Sequence, residues 1–398
     1  MSIKNLNRAD VENKIVMVRV DFNVPMEDGK VADATRIMQS IPTIQELREK
    51  GAKVVLISHM GRPKGQKHSE LSLRPVAAEL HNHIGDVYFS DETIGQVPTS
   101  LIESLKAGEV ALLENLRFHV GEEKNDENFA AKLALMADLY VNDAFSASHR
   151  AHASVCGITE HLPSYAGRLM EKELATLEET LNRPKTPLMA IVGGAKISTK
   201  IGLLKSFAHR VDTLAVVGGM ANTFLYAMGY EVGKSLCEES QVGEAMGILQ
   251  ELSKRSCKII LPVDAVVAES PTPGVKSSIV DHTEVPEDQM ILDVGPRTIE
   301  HIKEAVDESQ TLIWNGALGV TEIAPFEYGT TVVARHVAAQ TKAGKLISVA
   351  GGGDTVAALN QASCFDDFTY VSMAGGAFLE WAQGYPLPGI EALRESVV

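Results

Sequence analysis

The chain is poor in the signals that would place it in several large protein classes. Its four cysteines, Cys156, Cys237, Cys257 and Cys364, are scattered, with no CxxC pair and no zinc-type spacing. That pattern excludes a disulfide framework and leaves reduced thiols packed as small apolar side chains. The opening residues, Met-Ser-Ile-Lys-Asn-Leu-Asn-Arg, lack an apolar signal core, and no run reaches membrane-spanning length. The expectation is a soluble cytoplasmic protein. Positive charge is in deficit, with a formal net charge of −15, which argues against nonspecific nucleic-acid binding. Any anionic ligand must then be held by a local basic cluster. Also missing are a GxxxxGK[ST] P-loop, a GxGxxG dinucleotide fingerprint, and any Ser-His-Asp or metal-hydrolase constellation.

What is present is a repeated transition from strand to glycine. Residues 188–194, 214–219, 346–353 and 370–376 each run from an apolar segment into Gly-Gly, and each leads into a helix-compatible stretch. A buried parallel strand that ends this way brings bare backbone N–H groups and a helix dipole up to a ligand, a geometry suited to anions. Four such turns in one half predict a crevice at the carboxyl edge of one sheet. In the turn Gly193-Gly194-Ala195-Lys196-Ile197-Ser198-Thr199-Lys200, a helix starting after the glycines sets Lys196 and Lys200 on one face. They point either at solvent or at phosphates. Asp354, after Gly351-Gly352-Gly353, reads equally as a helix N-cap or as a Mg²⁺ ligand.

The first half also alternates strands and helices, but its strands end in polar residues. Ile15–Val20 leads to Asp21 and Asn23, Val54–Ile57 to His59 and Arg62, Val110–Leu113 to Arg117, and Leu139–Val141 to Asp143 and Arg150. Ile37, Ile41, Ile44 and Leu47 mark an amphipathic helix with Arg36 in its first turn and Asp33 as its cap. Strand–helix alternation implies a mostly parallel sheet whose strand ends share one edge. A lone arginine after a strand is ordinarily a surface residue. Four of them converging with His59 repel one another unless a polyanion sits among them, and a small phosphorylated acid fits. Asp143 and Asp264, near strand ends, are open to a catalytic reading or to a turn or cap role.

At 398 residues the chain exceeds one ordinary core, so two domains are expected. A leucine stripe at 174, 177 and 181 followed by Asn182-Arg183-Pro184 reads as a connecting helix. The expected fold is α/β: two Rossmann-like three-layer domains with mostly parallel sheets, joined by a hinge helix. The boundaries are 1–168, a linker at 169–184, and 185–380, with a tail over 381–398 that crosses back.

Taken together, these segments closely resemble the phosphoglycerate kinase family along the whole chain. The matching stretches are Arg19-Val20-Asp21-Phe22-Asn23-Val24-Pro25, Ser58-His59-Met60-Gly61-Arg62-Pro63, Glu114-Asn115-Leu116-Arg117-Phe118 and Val141-Asn142-Asp143-Ala144-Phe145 leading to His149-Arg150-Ala151-His152. Gly193-Gly194-Ala195-Lys196, Asp293-Val294-Gly295-Pro296, Trp314-Asn315-Gly316 and Gly351-Gly352-Gly353-Asp354-Thr355 complete the series. The resemblance implies that Asp21, Asn23, Arg36, His59, Arg62, Arg117 and Arg150 bind 3-phosphoglycerate or 1,3-bisphosphoglycerate. It further implies ATP or ADP with Mg²⁺ at Lys200, Glu322, Gly351, Gly352, Gly353, Asp354 and Thr355, with Asp354 linked to the metal. Arg36, Lys196, Lys200, Gly352 and Gly375 are the residues expected at the transferring phosphoryl group, in a monomer. The family pattern W-N-G-P-M-G-V-F-E appears here as Trp-Asn-Gly-Ala-Leu-Gly-Val-Thr-Glu over 314–322, which bears on where Glu322 lies. S-T-G-G-G-A appears as Ser372-Met373-Ala374-Gly375-Gly376-Ala377, and Arg297 stands where lysine is common. The rival reading is a catalytically weak paralogue acting as a binding protein.

Overall fold

The computed structural model describes residues 3–255 and 257–395. In the first half, β1 (Ile15–Arg19), β2 (Lys53–Ile57), β3 (Val87–Ser90), β4 (Val110–Leu113), β5 (Leu139–Asn142) and β6 (Ser164–Ala166) form one sheet in the order β3-β4-β2-β1-β5-β6. Every pairing in it is parallel. The side-chain period of two explains the layers. Val16, Val18, Val54 and Leu56 enter one apolar cluster, whereas Met17, Val55 and Ile57 enter another on the opposite face. Helix α1 (Thr35–Glu49) covers the first of these faces with Ile37, Ile44 and Leu47 fully buried and Ile41 partly so. Asp33 accepts from Thr35 N at 2.8 Å, which satisfies one orphan amide at the helix start.

The second half builds β7 (Leu188–Val192), β8 (Thr213–Val216) and β9 (Lys258–Ile260), then an antiparallel trio β10 (Asp264–Ala268), β11 (Ser277–Asp281) and β12 (Met290–Val294), then β13 (Thr311–Asn315), β14 (Ile347–Gly351) and β15 (Tyr370–Ser372). The main sheet has the order β9-β8-β7-β13-β14-β15, all parallel, and the trio pairs as β11-β10-β12. The two α/β units thus have the expected Rossmann-like form. All four Gly-Gly turns leave this one sheet, so their strand ends share its carboxyl edge. The four cysteines are free, and Cys364 sits in the apolar core. Among the described residues, no helix is long and apolar enough to cross a membrane.

Contacts divide the chain into Met1–Ala175 with Pro386–Val398, and Thr176–Tyr385. The division falls inside helix α2 (Arg168–Leu177), which continues as a π-helical turn over Glu178–Asn182. At its start, α2 is clamped to α1: Arg168 N donates to Thr43 Oγ1 at 2.9 Å, and Arg168 Nε donates to Glu46 Oε2 at 2.6 Å. The Arg168 guanidinium is the main reason the Glu46 carboxyl is lowered to about 2. Near the C-terminus, Gly389 N donates to Ser148 O at 2.9 Å, so the last described helix packs on the first unit. Positions 396–398 of the expected tail lie outside the described residues.

Both strand-adjacent aspartates hold helix starts. Asp143 Oδ1 accepts from Leu169 N at 2.9 Å and Met170 N at 3.3 Å, and burial raises its carboxyl to about 7. Asp264 begins β10 rather than ending a strand, and it caps α5 (Pro296–Asp307). It accepts from Arg297 N and Thr298 N, each at 2.9 Å, and from Thr298 Oγ1 at 2.7 Å. Replacing Asp264 with Ala should cost about 1–2 kcal/mol. Denaturant unfolding followed at Trp314 measures that loss, and an unchanged midpoint would remove the capping role.

Candidate functional site

The first unit gathers its basic residues through short polar links at the carboxyl edge of its sheet. Asp21 Oδ2 accepts from Arg36 Nη1 at 2.7 Å and from Ser146 Oγ at 2.5 Å. The backbone carbonyl of Asn23 accepts from the same Arg36 nitrogen at 3.1 Å, while its Oδ1 accepts from Gly61 N at 2.9 Å. Arg117 Nη1 donates to Gly61 O at 2.7 Å, and Arg62, next in sequence, is exposed. Arg150 Nε donates to His149 Nε2 at 3.0 Å. His59 is buried, and desolvation first, then Arg19, Arg117, His152 and Arg150, pushes its imidazole well below the usual range. Desolvation and the same arginines lower His152 to about 3. All seven residues expected at the phosphorylated acid thus lie in one unit, and His59, Arg117 and Arg150 share one field. A surplus of cation held in desolvated surroundings is arranged for an anion.

In the second unit a cavity of about 380 Å³ opens at the carboxyl edge, lined by Gly194, Gly218, Gly219, Leu318, Glu322 and Asp354, among others. Helices α4 (Gly219–Ala227), α6 (Gly353–Gln361) and α7 (Gly376–Ala382) start directly from their glycine turns. Gly352 has φ +100°, a left-handed backbone that side chains rarely adopt. The turn after β7 is close-packed: a Cβ on Gly193 would collide with Ala317 O, and one on Gly316 with Gly193 O.

Lys196 and Lys200 do not share a helix face, contrary to the expectation. Ile197–Thr199 forms a separate 3-10 turn, and α3 (Ile201–Ala208) begins only after Lys200. Burial of Ile197 and the bonds from Ser198 N and Oγ to Glu238, at 2.9 and 2.6 Å, hold that turn apart. Lys196 is therefore exposed, whereas Lys200 turns inward, its Nζ donating to Gly193 O at 2.6 Å and Asn315 O at 3.3 Å. Burial lowers Lys200 to about 8, with Asp354 opposing the shift. An ammonium has three donors, so one remains for a ligand.

The Thr355 hydroxyl is engaged within the loops, accepting from Gly316 N at 2.7 Å and donating to Gly351 O at 2.9 Å. It ties two turns together. The altered 314–322 loop is pinned by Trp314 Nε1 donating to Gly316 O at 2.7 Å and Leu318 N to Thr330 Oγ1 at 2.9 Å. Glu322 consequently lines the cavity with Asp354. Gly375, φ +50°, opens α7, and apart from its chain neighbours a Cβ placed there would meet no described atom within 4 Å. Among the described residues, no three His, Cys, Asp or Glu side chains are grouped to hold a metal. Asp354 is an exposed carboxylate whose charge acts on Lys200, which fits a divalent cation arriving on nucleotide phosphates.

The phosphoglycerate kinase family model matches residues 6–385. The chain belongs to the phosphoglycerate kinase family. A phosphoglycerate kinase of Rhizobium meliloti (strain 1021) is 55% identical over 397 residues, covering 99% of this chain and all of the relative. The solved phosphoglycerate kinase of Coxiella burnetii superposes with a TM-score of 0.91 at 38% identity over the full length of both chains. That of Pyrococcus horikoshii OT3 gives 0.86 at 31% identity over 99% of each. Family membership makes the chain an enzyme, a phosphotransferase with a carboxyl group as acceptor.

Sequence reasoning passed over the layer beneath the arginines: Arg19, Glu122, His152 and Ser154, all buried. One signal was available, since Arg19 ends an apolar strand run and so needs buried partners. Because like charges crowd this edge, Arg150→Ala should raise ligand-free stability by about 0.5–1 kcal/mol. The same change should reduce the rise in melting temperature that inorganic phosphate gives the wild type. Calorimetry with and without phosphate decides it, and a destabilised variant with undiminished phosphate response would refute the reading.

Proposed function

We propose that the chain catalyses 1,3-bisphosphoglycerate + ADP ⇌ 3-phosphoglycerate + ATP, as a cytoplasmic monomer. The observation that supports this best is the pairing of two anion-ready edges in one chain. The first unit presents Asp21, Asn23, Arg36, His59, Arg62, Arg117 and Arg150, and the second has a cavity lined by Glu322, Asp354 and the glycines at 194 and 218–219, with the charge of Asp354 acting on Lys200. On this reading the first unit, with the C-terminal tail, holds the phosphoglycerate and the second holds the nucleotide.

Both exchanging oxygens, a carboxylate and a nucleotide phosphate, are anionic near pH 7, so no general base is needed. Catalysis then rests on positioning and charge neutralisation. His59, Arg62, Arg117 and Arg150 anchor the acid. Arg36, Lys200 and the amides near Gly352 and Gly375 face the phosphoryl group, with exposed Lys196 drawn in as the site fills. Asp354 is the residue that would hold Mg²⁺, which would supply further neutralising charge.

Substrates bound on separate units require closure to bring reacting atoms within about 3–3.5 Å. Closure also expels water that would hydrolyse the acyl phosphate. The π-helical turn after α2 is the hinge we favour, since such turns have non-standard hydrogen bonding and recur at functional positions. Monomeric state follows from the need for an unobstructed cleft.

A coupled assay with 3-phosphoglycerate, ATP and Mg²⁺ tests the function. Lys200→Ala should lower turnover by about 10²-fold or more, and Arg36→Ala should reduce turnover far more than nucleotide affinity. No turnover from folded wild type would leave a binding protein instead. The Lys200 ammonium also sets a pH limit. Its proton is present below about 8 and lost above it, so nucleotide affinity should fall as pH rises through that value. Calorimetric titration with ADP should show this limb, with proton uptake, in wild type and not in Lys200→Ala.

A further inference from the structure

Beneath the basic edge lies a buried polar chain that the proposed reaction does not use. Arg19, the last residue of β1, is fully buried. Its Nε donates to Ser154 Oγ at 3.0 Å, its Nη1 donates to Val20 O, and its Nη2 lies 3.0 Å from His59 Nδ1. Ser154 passes the contact on, with Oγ donating to Glu122 Oε1 at 2.6 Å and N donating to Glu122 Oε2 at 3.0 Å. Glu122, itself fully buried, is the anionic end of the chain.

The chemistry of the Arg19–His59 contact has one solution. A guanidinium has N–H donors and no acceptor, and it does not lose its proton in proteins. His59 Nδ1 must therefore be the acceptor, with a free lone pair. A neutral imidazole with a bare Nδ1 carries its single hydrogen on Nε2. Histidines oriented by a carboxylate have the reverse arrangement, with Nδ1–H donating and basicity raised.

We infer that Arg19 is a positioning residue that fixes His59 as a neutral Nε2–H donor for an anionic oxygen of the phosphorylated acid. The inference rests on His59 contacting that substrate, as proposed above. Protonating Nδ1 would set an imidazolium against the guanidinium and break the bond. The groups facing His59 reinforce this: Arg19 from β1, Arg117 from the turn after β4, and Arg150 and His152 from the segment after β5. Glu122 lies 3.8 Å from His152 Nδ1 and meets Arg19 through Ser154. His59 thus offers directional hydrogen bonding without charge, while the arginines supply the charge. It rejects a ligand group that can only donate, and it is unsuited to proton transfer near pH 7.

Nitrogen-15 spectra of the histidine side chains in ligand-free protein test the tautomer without reference to substrate. His59 should show a protonated Nε2 and an unprotonated Nδ1, unchanged between about pH 6 and 8. A protonated Nδ1 would overturn the inference, and this wild-type spectrum decides the point whether or not any variant folds. Arg19→Met should let the tautomer mix and raise the KM for 3-phosphoglycerate about tenfold or more, with the KM for ATP unchanged. Arg19→Lys, which keeps a donor, should recover part of the loss, and Ser154→Ala should give a weaker version of it. A tautomer released in Arg19→Met with an unaltered KM for phosphoglycerate would refute the substrate role of His59, while the wild-type tautomer would still stand.

Discussion

Repulsion among like charges at the edge of a parallel sheet is the constraint around which the first unit is built. Arg117 and Arg150 act together on His59 because strand ends in such a sheet share one side, and Arg36 is tied to Arg117 from α1 through Asn23 and Gly61. Arg36 and Arg117 are each steadied by a backbone carbonyl as well as a carboxylate. Arg36 rests on the Asp21 carboxylate and the Asn23 carbonyl, and Arg117 on the Gly61 carbonyl and, at 3.4 Å, the Glu123 carboxylate. Carbonyl oxygens orient a guanidinium while leaving its net charge for a ligand. Burial of His59 and His152 as neutral rings keeps the cluster from gaining further charge.

The second unit solves the same problem with backbone. Its turns contribute amides from helices that begin at glycine, and few side chains are involved. Lys200 is the exception, and it is held by carbonyls as Arg117 is. Partial loss of its proton near neutrality follows from taking an ammonium out of water without a paired carboxylate in hydrogen-bond contact.

Much of this was readable from the sequence because parallel strands buried on both faces are continuous apolar runs, and their ends are where polarity returns. Ile15, Lys53, Val110 and Leu139 open strands within a residue of where the apolar runs begin. Glu322 and Asp354 lining one cavity likewise followed from motif order. The lysine pair was misplaced because spacing alone cannot show that Ile197 is drawn into the core or that Glu238 binds Ser198. Those are contacts between segments far apart in the chain. Arg19 was missed for a related reason: its partners Ser154 and Glu122 are over 100 residues away, and nothing local marks them. Asp143 and Asp264 needed the helix amides they hold before cap and catalyst could be told apart.

The clamp between Arg168 and Glu46 has a mechanical consequence. Arg36 stands in the first turn of α1, and Thr43 and Glu46 stand further along the same helix. Because α2 is fastened at those two points, α1 and the start of α2 are braced against each other. The helix that leads out of the first unit and the helix that presents Arg36 are thus one braced frame, with Arg168 as its corner.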